Sequence, residues 1–192
     1  MSTSLQEVRQ RIERIQNPQL QSVAKFQLLT ACRISEAVGK YAVQLSDLTL
    51  TQYKGHDLAL WTLHTAKRSG VQRTVALPIS QVWVKETVDY FQSRKRRAFD
   101  YGISSINHLF AKEFSGLQYL IEKYTLQKGN PIQAHERLVN SHALRHFRLS
   151  ELVNIYGFDE IDLATFAGWK MKGMASRYVT MAWGRYIDKL LR

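Results

Sequence analysis

The stretch "LSDLTLTQYKGHDLALWTLHTAKRSGVQRTVALP", residues 45–78, decides the fold class of this chain. It contains three short segments rich in Leu, Val, Thr and Trp, a composition typical of β-strands. The glycine-containing segments "KGH" at 54–56 and "AKRSG" at 66–70 separate them and predict turns. We therefore predict a small three-stranded antiparallel sheet.

Helical patterns flank this sheet on both sides. Only 3 prolines and 10 glycines interrupt the chain, so long helices are expected. We predict helices at 4–15, 19–32, 33–40, 81–99, 104–124, 141–154, 160–167 and 173–190, with a possible break at Gly116, and a loop at 127–139. The expected fold is α+β, mainly helical, in a single domain over residues 1–192.

The composition is strongly basic, with 27 Lys+Arg against 16 Asp+Glu and a net charge of +11. Such a charge favours binding to a nucleic acid, because cationic side chains displace the counterions of phosphates. A solubilising surface, a ribosomal protein or a membrane-surface protein are the alternatives. No apolar run approaches the roughly 20 residues needed to span a bilayer. The lone Cys32 excludes an internal disulfide and fits a reducing cytoplasm.

Two short motifs lie in the first half of the chain. In "RISE", Arg33 and Glu36 are three residues apart and lie on the same side of a helix. Lys67 lies in the predicted 66–70 turn, where its ammonium could serve as a mobile proton donor. Each motif alone is typical of an ordinary ion pair or a solvated turn.

The second half contains two more motifs. In "SHALRHF", His142 and Arg145 leave one face of a helix, Ser141 is a candidate N-cap, and His146 lies on the adjoining face. Further on, Trp169 follows a glycine that can end a helix. Tyr178 comes nine residues later. Alone, these would be structural residues and packing aromatics.

Taken in order, the motifs resemble the catalytic domain of the tyrosine recombinase (phage integrase) family. The family's first arginine box reads like "RISE", and its lysine lies on a β-hairpin before a strand that ends in proline. Its H-x-L-R-H box is matched by residues 142–146, followed by a tryptophan and the nucleophilic tyrosine. The order and approximate spacing of the motifs agree from residue 30 to residue 178, and the matched positions lie within that span. They are Arg33, Lys67, His142, Arg145, Trp169 and Tyr178, supported by Glu36 and His146.

The resemblance implies roles around a scissile DNA phosphate. Arg33 and Arg145 would clamp its non-bridging oxygens, and Trp169 would donate an indole hydrogen bond. His142 would bind the phosphate or accept the tyrosine proton.

The remaining roles concern the two oxygens that exchange at phosphorus. Lys67 would protonate the leaving 5′ oxygen, and Tyr178 would attack to give a 3′-phosphotyrosyl intermediate. Tyr186 is a rival nucleophile in the same predicted helix.

The implied partner is double-stranded DNA, with self-association into a tetramer on it and no cofactor, metal ion or membrane. We expect a cytoplasmic, nucleoid-associated protein of a prokaryote, virus or mobile element. About 30 residues precede Arg33, which is too few for the N-terminal domain common in the family. A catalytic fragment and a minimal recombinase both remain open.

Other interpretations stay open at this level. A type IB topoisomerase or telomere resolvase shares the chemistry, and a helical DNA-binding module would have none. The C-terminal tail could pack on its own domain or dock on a neighbouring protomer.

Overall fold

The computed structural model describes residues 3–64, 72–123, 133–169 and 183–192. Its helices are α1 (Leu5–Glu13), α2 (Pro18–Thr30), α3 (Ile34–Ala37), α4 (Val82–Ser93), α5 (Ile103–Glu113), α6 (Ser141–Asn154), α7 (Glu160–Ala167) and α8 (Ile187–Leu190). Its strands are β1 (Leu48–Tyr53), β2 (His56–His64), β3 (Gln72–Pro78), β4 (Gln118–Lys123) and β5 (Gln133–Leu138). The α+β class with a three-stranded antiparallel sheet is confirmed. Within these described ranges, no helix is long and apolar enough to cross a membrane.

Helix α2 is the centre of the molecule. It begins at Pro18, and the Asn17 side chain accepts a hydrogen bond of 3.0 Å from the Leu20 amide. All its residues from 23 to 30 are buried, so other elements surround it. The Phe26 ring lies within 6 Å of three aromatic rings in the same core, those of Trp61, Phe91 and Phe99. A continuous cluster of buried apolar residues joins this helix to the sheet and to α6.

The sheet has the order β1-β2-β3, with both pairs antiparallel. Trp61 on β2 pairs with Leu48 on one side and Val75 on the other. At the first turn, Lys54 and Gly55 have φ of 49° and 79°, the left-handed backbone of a tight hairpin. The turn predicted at 54–56 is confirmed, while the one at 66–70 lies outside the described residues.

The possible break at Gly116 in the helix predicted over 104–124 is confirmed, but the helical prediction beyond it is wrong. Helix α5 ends at Glu113, Gly116 turns the chain with φ of 81°, and β4 follows. Strand β4 pairs with β5, in the region predicted to be a loop. The apolar run after Gly116 is short, and such a run has no periodicity that separates strand from helix. Its pairing with β5, a separate segment further along the chain, decides the outcome.

Helices α6 and α7 confirm the predictions at 141–154 and 160–167. The predicted cap of α6 is wrong by one residue, because the Asn140 side chain accepts from the amides of His142 and Ala143 at 2.9 and 3.1 Å. The Ser141 hydroxyl instead donates to Asn107 at 2.9 Å. This arrangement places His142 in the first turn of α6.

The described end of the chain is not the continuous helix that the pattern predicts. A 3-10 turn at Trp183–Arg185 is followed by Tyr186 and the four-residue α8. Tyr186, Ile187 and Leu190 are buried in the core of the same chain. This part of the tail therefore packs on its own domain.

Candidate active site

The loop between α2 and α3 presents the first arginine. Ala31 ends α2 in the left-handed conformation, with φ of 48°, and Arg33 then starts α3. Glu36 is fully buried and accepts from the Arg33 guanidinium and from the Arg33 amide, both at 3.1 Å. The pair is therefore not the exposed ion pair that the motif alone suggests, since the carboxylate is inside the protein. It fixes both the backbone and the side chain of Arg33.

Cys32, between these residues, is fully buried. Burial raises the pKa of its thiol to about 12. The thiol therefore stays protonated near neutral pH and is a poor nucleophile.

Helix α6 supplies the second arginine. The Arg145 guanidinium, which is 4% exposed as a residue, donates to the carbonyl oxygen of Ala31 and, at 3.2 Å, to that of Ala167. A guanidinium carries five N–H groups, so donors remain for a ligand. Burial, together with the neighbouring Arg73 and Arg33, lowers the pKa of Arg145 to about 10. Arg145 therefore remains charged at neutral pH.

Trp169 follows the end of α7. Gly168 has φ of 67°, and the Trp169 amide donates to the Ala164 carbonyl at 2.8 Å. The Trp169 side chain belongs to a residue that is 41% exposed, which is unusual for a tryptophan that only fills a core. The Arg145 guanidinium lies 5.8 Å from the centroid of its ring, at cation–π distance.

Five of the predicted site residues line one cavity of about 390 Å³, which we call the arginine cavity. They are Arg33, His142, Arg145, His146 and Trp169. Apolar side chains of α6 and α7, among them Leu149 and Leu163, complete its wall. Glu36 does not line the cavity; it is fully buried and contacts Arg33, which does line it. Lys67 and Tyr178 lie outside the described residues.

The two histidines of the cavity have lowered pKa values. Burial lowers the pKa of His142, and the cations Arg145 and Arg33 lower it further. Partial burial alone lowers the pKa of His146, an exposed residue whose ring centroid lies 5.7 Å from that of Tyr119. Both imidazoles are therefore neutral at pH 7, and His142 can accept a proton or a hydrogen bond beside two fixed cations.

Sequence reasoning missed Arg73, which lies on β3 with only 6% of its surface exposed. It donates to Glu36 at 3.3 Å, to Thr30 at 3.3 Å and to the Phe166 carbonyl oxygen. The period-two alternation of β3 carried a usable signal, because Arg73 shares a face with the buried Val75 and Leu77. An arginine on a buried face of a strand needs hydrogen-bond acceptors inside the protein, because its charge is removed from water.

The rival nucleophile Tyr186 is not among the residues that line the cavity. It is fully buried, and its hydroxyl accepts from the Ala76 amide at 3.0 Å and contacts the Thr74 carbonyl at 3.4 Å. Burial raises the pKa of its phenol. Tyr186 does not line the arginine cavity, and its hydroxyl is occupied by the backbone of β3.

A larger cavity, of about 550 Å³, lies between Gly39 and Gly102. Its cations, Lys40 and Arg97, come from separate loops, and Asp100 also lines it. The smaller cavity is the stronger candidate for chemistry because a buried and a half-buried arginine converge there with a neutral imidazole.

Comparisons with models of known protein families and with curated proteins give no match for this chain.

Proposed function

We propose that this chain is a DNA strand transferase of the tyrosine recombinase type, with the catalytic-domain fold of that family. The observation that carries the proposal is the convergence of Arg33, His142, Arg145 and Trp169 on one cavity, although they are far apart in the sequence. The net charge of +11 supports a polyanionic partner. In this proposal the partner is double-stranded DNA, on which the protein assembles as a tetramer.

The cavity suits a phosphodiester. Arg33 and Arg145 present rigid donors that stay charged, and a phosphate between them would have its non-bridging oxygens neutralised. Charge that grows on these oxygens in the transition state would be stabilised by groups that are already in place. The indole N–H of Trp169 would add a neutral donor at the rim.

The proposed reaction exchanges one ester for another. The Tyr178 oxygen attacks phosphorus, its proton passes to His142, and a phosphotyrosyl bond forms. The bond from phosphorus to the 5′ oxygen breaks, and Lys67 gives that oxygen a proton. A 5′-hydroxyl of another strand reverses the step, so the bond energy is retained and no ATP is consumed.

A trapping experiment tests the proposal. Duplexes of randomised sequence carry a nick close to the cleaved phosphate, so that the short 5′-hydroxyl fragment diffuses away and a covalent adduct accumulates. We expect an adduct whose DNA-linked peptide contains Tyr178. Tyr178→Phe should abolish it and retain DNA binding, whereas Tyr186→Phe, the matched control, should keep it.

Each other outcome has a definite meaning. An adduct that survives in Tyr178→Phe refutes the assigned nucleophile. DNA binding without any adduct over the whole pool indicates a binding module and contradicts the proposal. Relaxation of supercoiled DNA at arbitrary sites, without joining of partner duplexes, indicates a topoisomerase instead.

A further inference from the structure

Arg73 connects three elements that border the arginine cavity, although it does not line the cavity itself. Its terminal nitrogens donate to Thr30 at the end of α2, to Glu36 on α3 and to Phe166 near the end of α7. A guanidinium can serve three acceptors at once because its donors form a rigid planar fork. One side chain from β3 thus fixes the relative positions of all three elements.

The first connection leads to Arg33. The two oxygens of the buried Glu36 carboxylate are divided between cations: Oε1 accepts from Arg33 at 3.1 Å, and Oε2 from Arg73 at 3.3 Å. A carboxylate with no exposed surface needs such partners, since an unpaired buried charge is strongly unfavourable. Because Arg73 anchors one oxygen, the other keeps a fixed direction toward Arg33.

The second connection leads to Trp169. The last carbonyls of α7 are shared by two arginines, Phe166 accepting from Arg73 and Ala167 from Arg145. Gly168 follows at once, and a Cβ atom there would lie 2.5 Å from the Cδ of Arg73. The Arg73 side chain is therefore packed against the turn that carries the indole.

We propose that Arg73 is a positioning residue, which acts through Glu36 and the end of α7 to direct Arg33 and Trp169 into the cavity beside Arg145. This inference rests on the proposed function for its chemical meaning. The positioning itself can be measured on the protein alone, with an inorganic oxyanion in place of DNA.

The test compares Arg73→Lys with Arg148→Lys. Arg148 is an equally buried arginine that pairs with Glu151 at 2.6 Å and donates to the Leu29 carbonyl at 3.2 Å, but it does not line the cavity. Lysine keeps the charge in both variants and loses the planar fork, so both should lose thermal stability. Only Arg73→Lys should alter the site.

Two measurements on the folded variants show whether the site has changed. Vanadate binding, followed by NMR, should weaken about tenfold in Arg73→Lys, because one positioned charge-assisted contact is lost. The pKa of His142 should rise toward its ordinary value, since Arg33 is one cause of its depression. Arg148→Lys should leave both quantities unchanged.

A double-mutant cycle tests whether Arg73 acts through Glu36. If it does, adding Glu36→Gln to Arg73→Lys should weaken vanadate binding by less than the product of the separate effects. Equal vanadate affinity and equal His142 pKa in Arg73→Lys and Arg148→Lys would overturn the inference. So would multiplicative effects in the cycle.

If Arg73→Lys does not fold, the Glu36→Gln variant alone tests the inference. Its vanadate affinity and its His142 pKa must then change as expected for a released Arg33, and unchanged values overturn the inference. A wild-type protein that binds vanadate but forms no DNA adduct would refute the proposed function and leave the positioning role standing.

Discussion

The Nη2 group of Arg145 donates a hydrogen bond of 3.2 Å to the carbonyl oxygen of Ala167, the last residue of α7. The same guanidinium donates to Ala31 at the end of α2. One buried cation therefore joins the C-terminal ends of two helices, where carbonyl groups without helical partners carry partial negative charge. The cavity lies where these ends meet.

Replacing Arg145 by lysine should affect both stability and chemistry. A single ammonium cannot reach both carbonyls and a phosphate in a fixed geometry. We expect a lower Tm and a loss of adduct formation of roughly 100-fold, as for removal of one oxyanion donor. Arg185→Lys keeps a cation beside Asp159 and the buried Asp162, which Arg185 contacts at 3.0 and 2.9 Å. None of these three residues lines the cavity, so this variant should leave adduct formation unchanged. Equal adduct yields in the two variants would contradict the role of Arg145.

Gly168→Ala and Gly157→Ala form a matched pair. Both glycines follow helices, with φ of 67° and 66°, so alanine should cost about 1–2 kcal/mol of unfolding free energy at either site. Only at Gly168 does the added Cβ meet Arg73, and no atom lies within 4 Å at Gly157. Urea unfolding should show a further loss of about 1–3 kcal/mol for Gly168→Ala. A smaller loss at Gly168 than at Gly157 would show that the turn does not depend on this close contact.

The stability of the protein should fall as the pH is lowered through the range where histidine titrates. The folded-state pKa of both His142 and His146 is depressed. As the pH falls, the unfolded state therefore binds protons at a higher pH than the folded state does. Their contribution to the free energy of unfolding is fully present above the ordinary histidine pKa of 6.5. It is lost as the pH falls through the lower folded-state values.

Urea unfolding of the wild type and of a His142→Gln/His146→Gln variant between pH 5 and 7.5 would measure this effect. The variant should depend less on pH in this window, and an identical dependence would contradict the depressed values. His56→Gln, at an exposed position on β2, is the control and should behave like the wild type.

Tyr186→Phe should destabilise the protein without removing activity. The change deprives the Ala76 amide of its acceptor, and a buried donor without a partner costs about 1–3 kcal/mol. Tyr156→Phe, at a half-buried position, should cost less. Thermal unfolding of the two variants measures the difference, and a Tyr186→Phe variant as stable as the wild type would show that this hydroxyl does not hold the tail on β3.

The sequence alone determined the features that depend on neighbours along the chain. Helices α6 and α7 follow from their own periodicity, and β1 to β3 follow from segments rich in Leu, Val, Thr and Trp between turns. The positions of Arg33, His142, Arg145 and Trp169 within their elements were also predictable. Local spacing places such residues on one side of a helix or at its end.

Tertiary structure decided everything that depends on distant partners. Strand β4 exists because β5 pairs with it, and its own residues suit a helix equally well. The burial of Glu36 and its division between Arg33 and Arg73 require β3 to pack against the end of α2. The alternation of β3 marks Arg73 as inward-facing. Its acceptors Thr30, Glu36 and Phe166 lie on other elements, so only the packed chain could assign them.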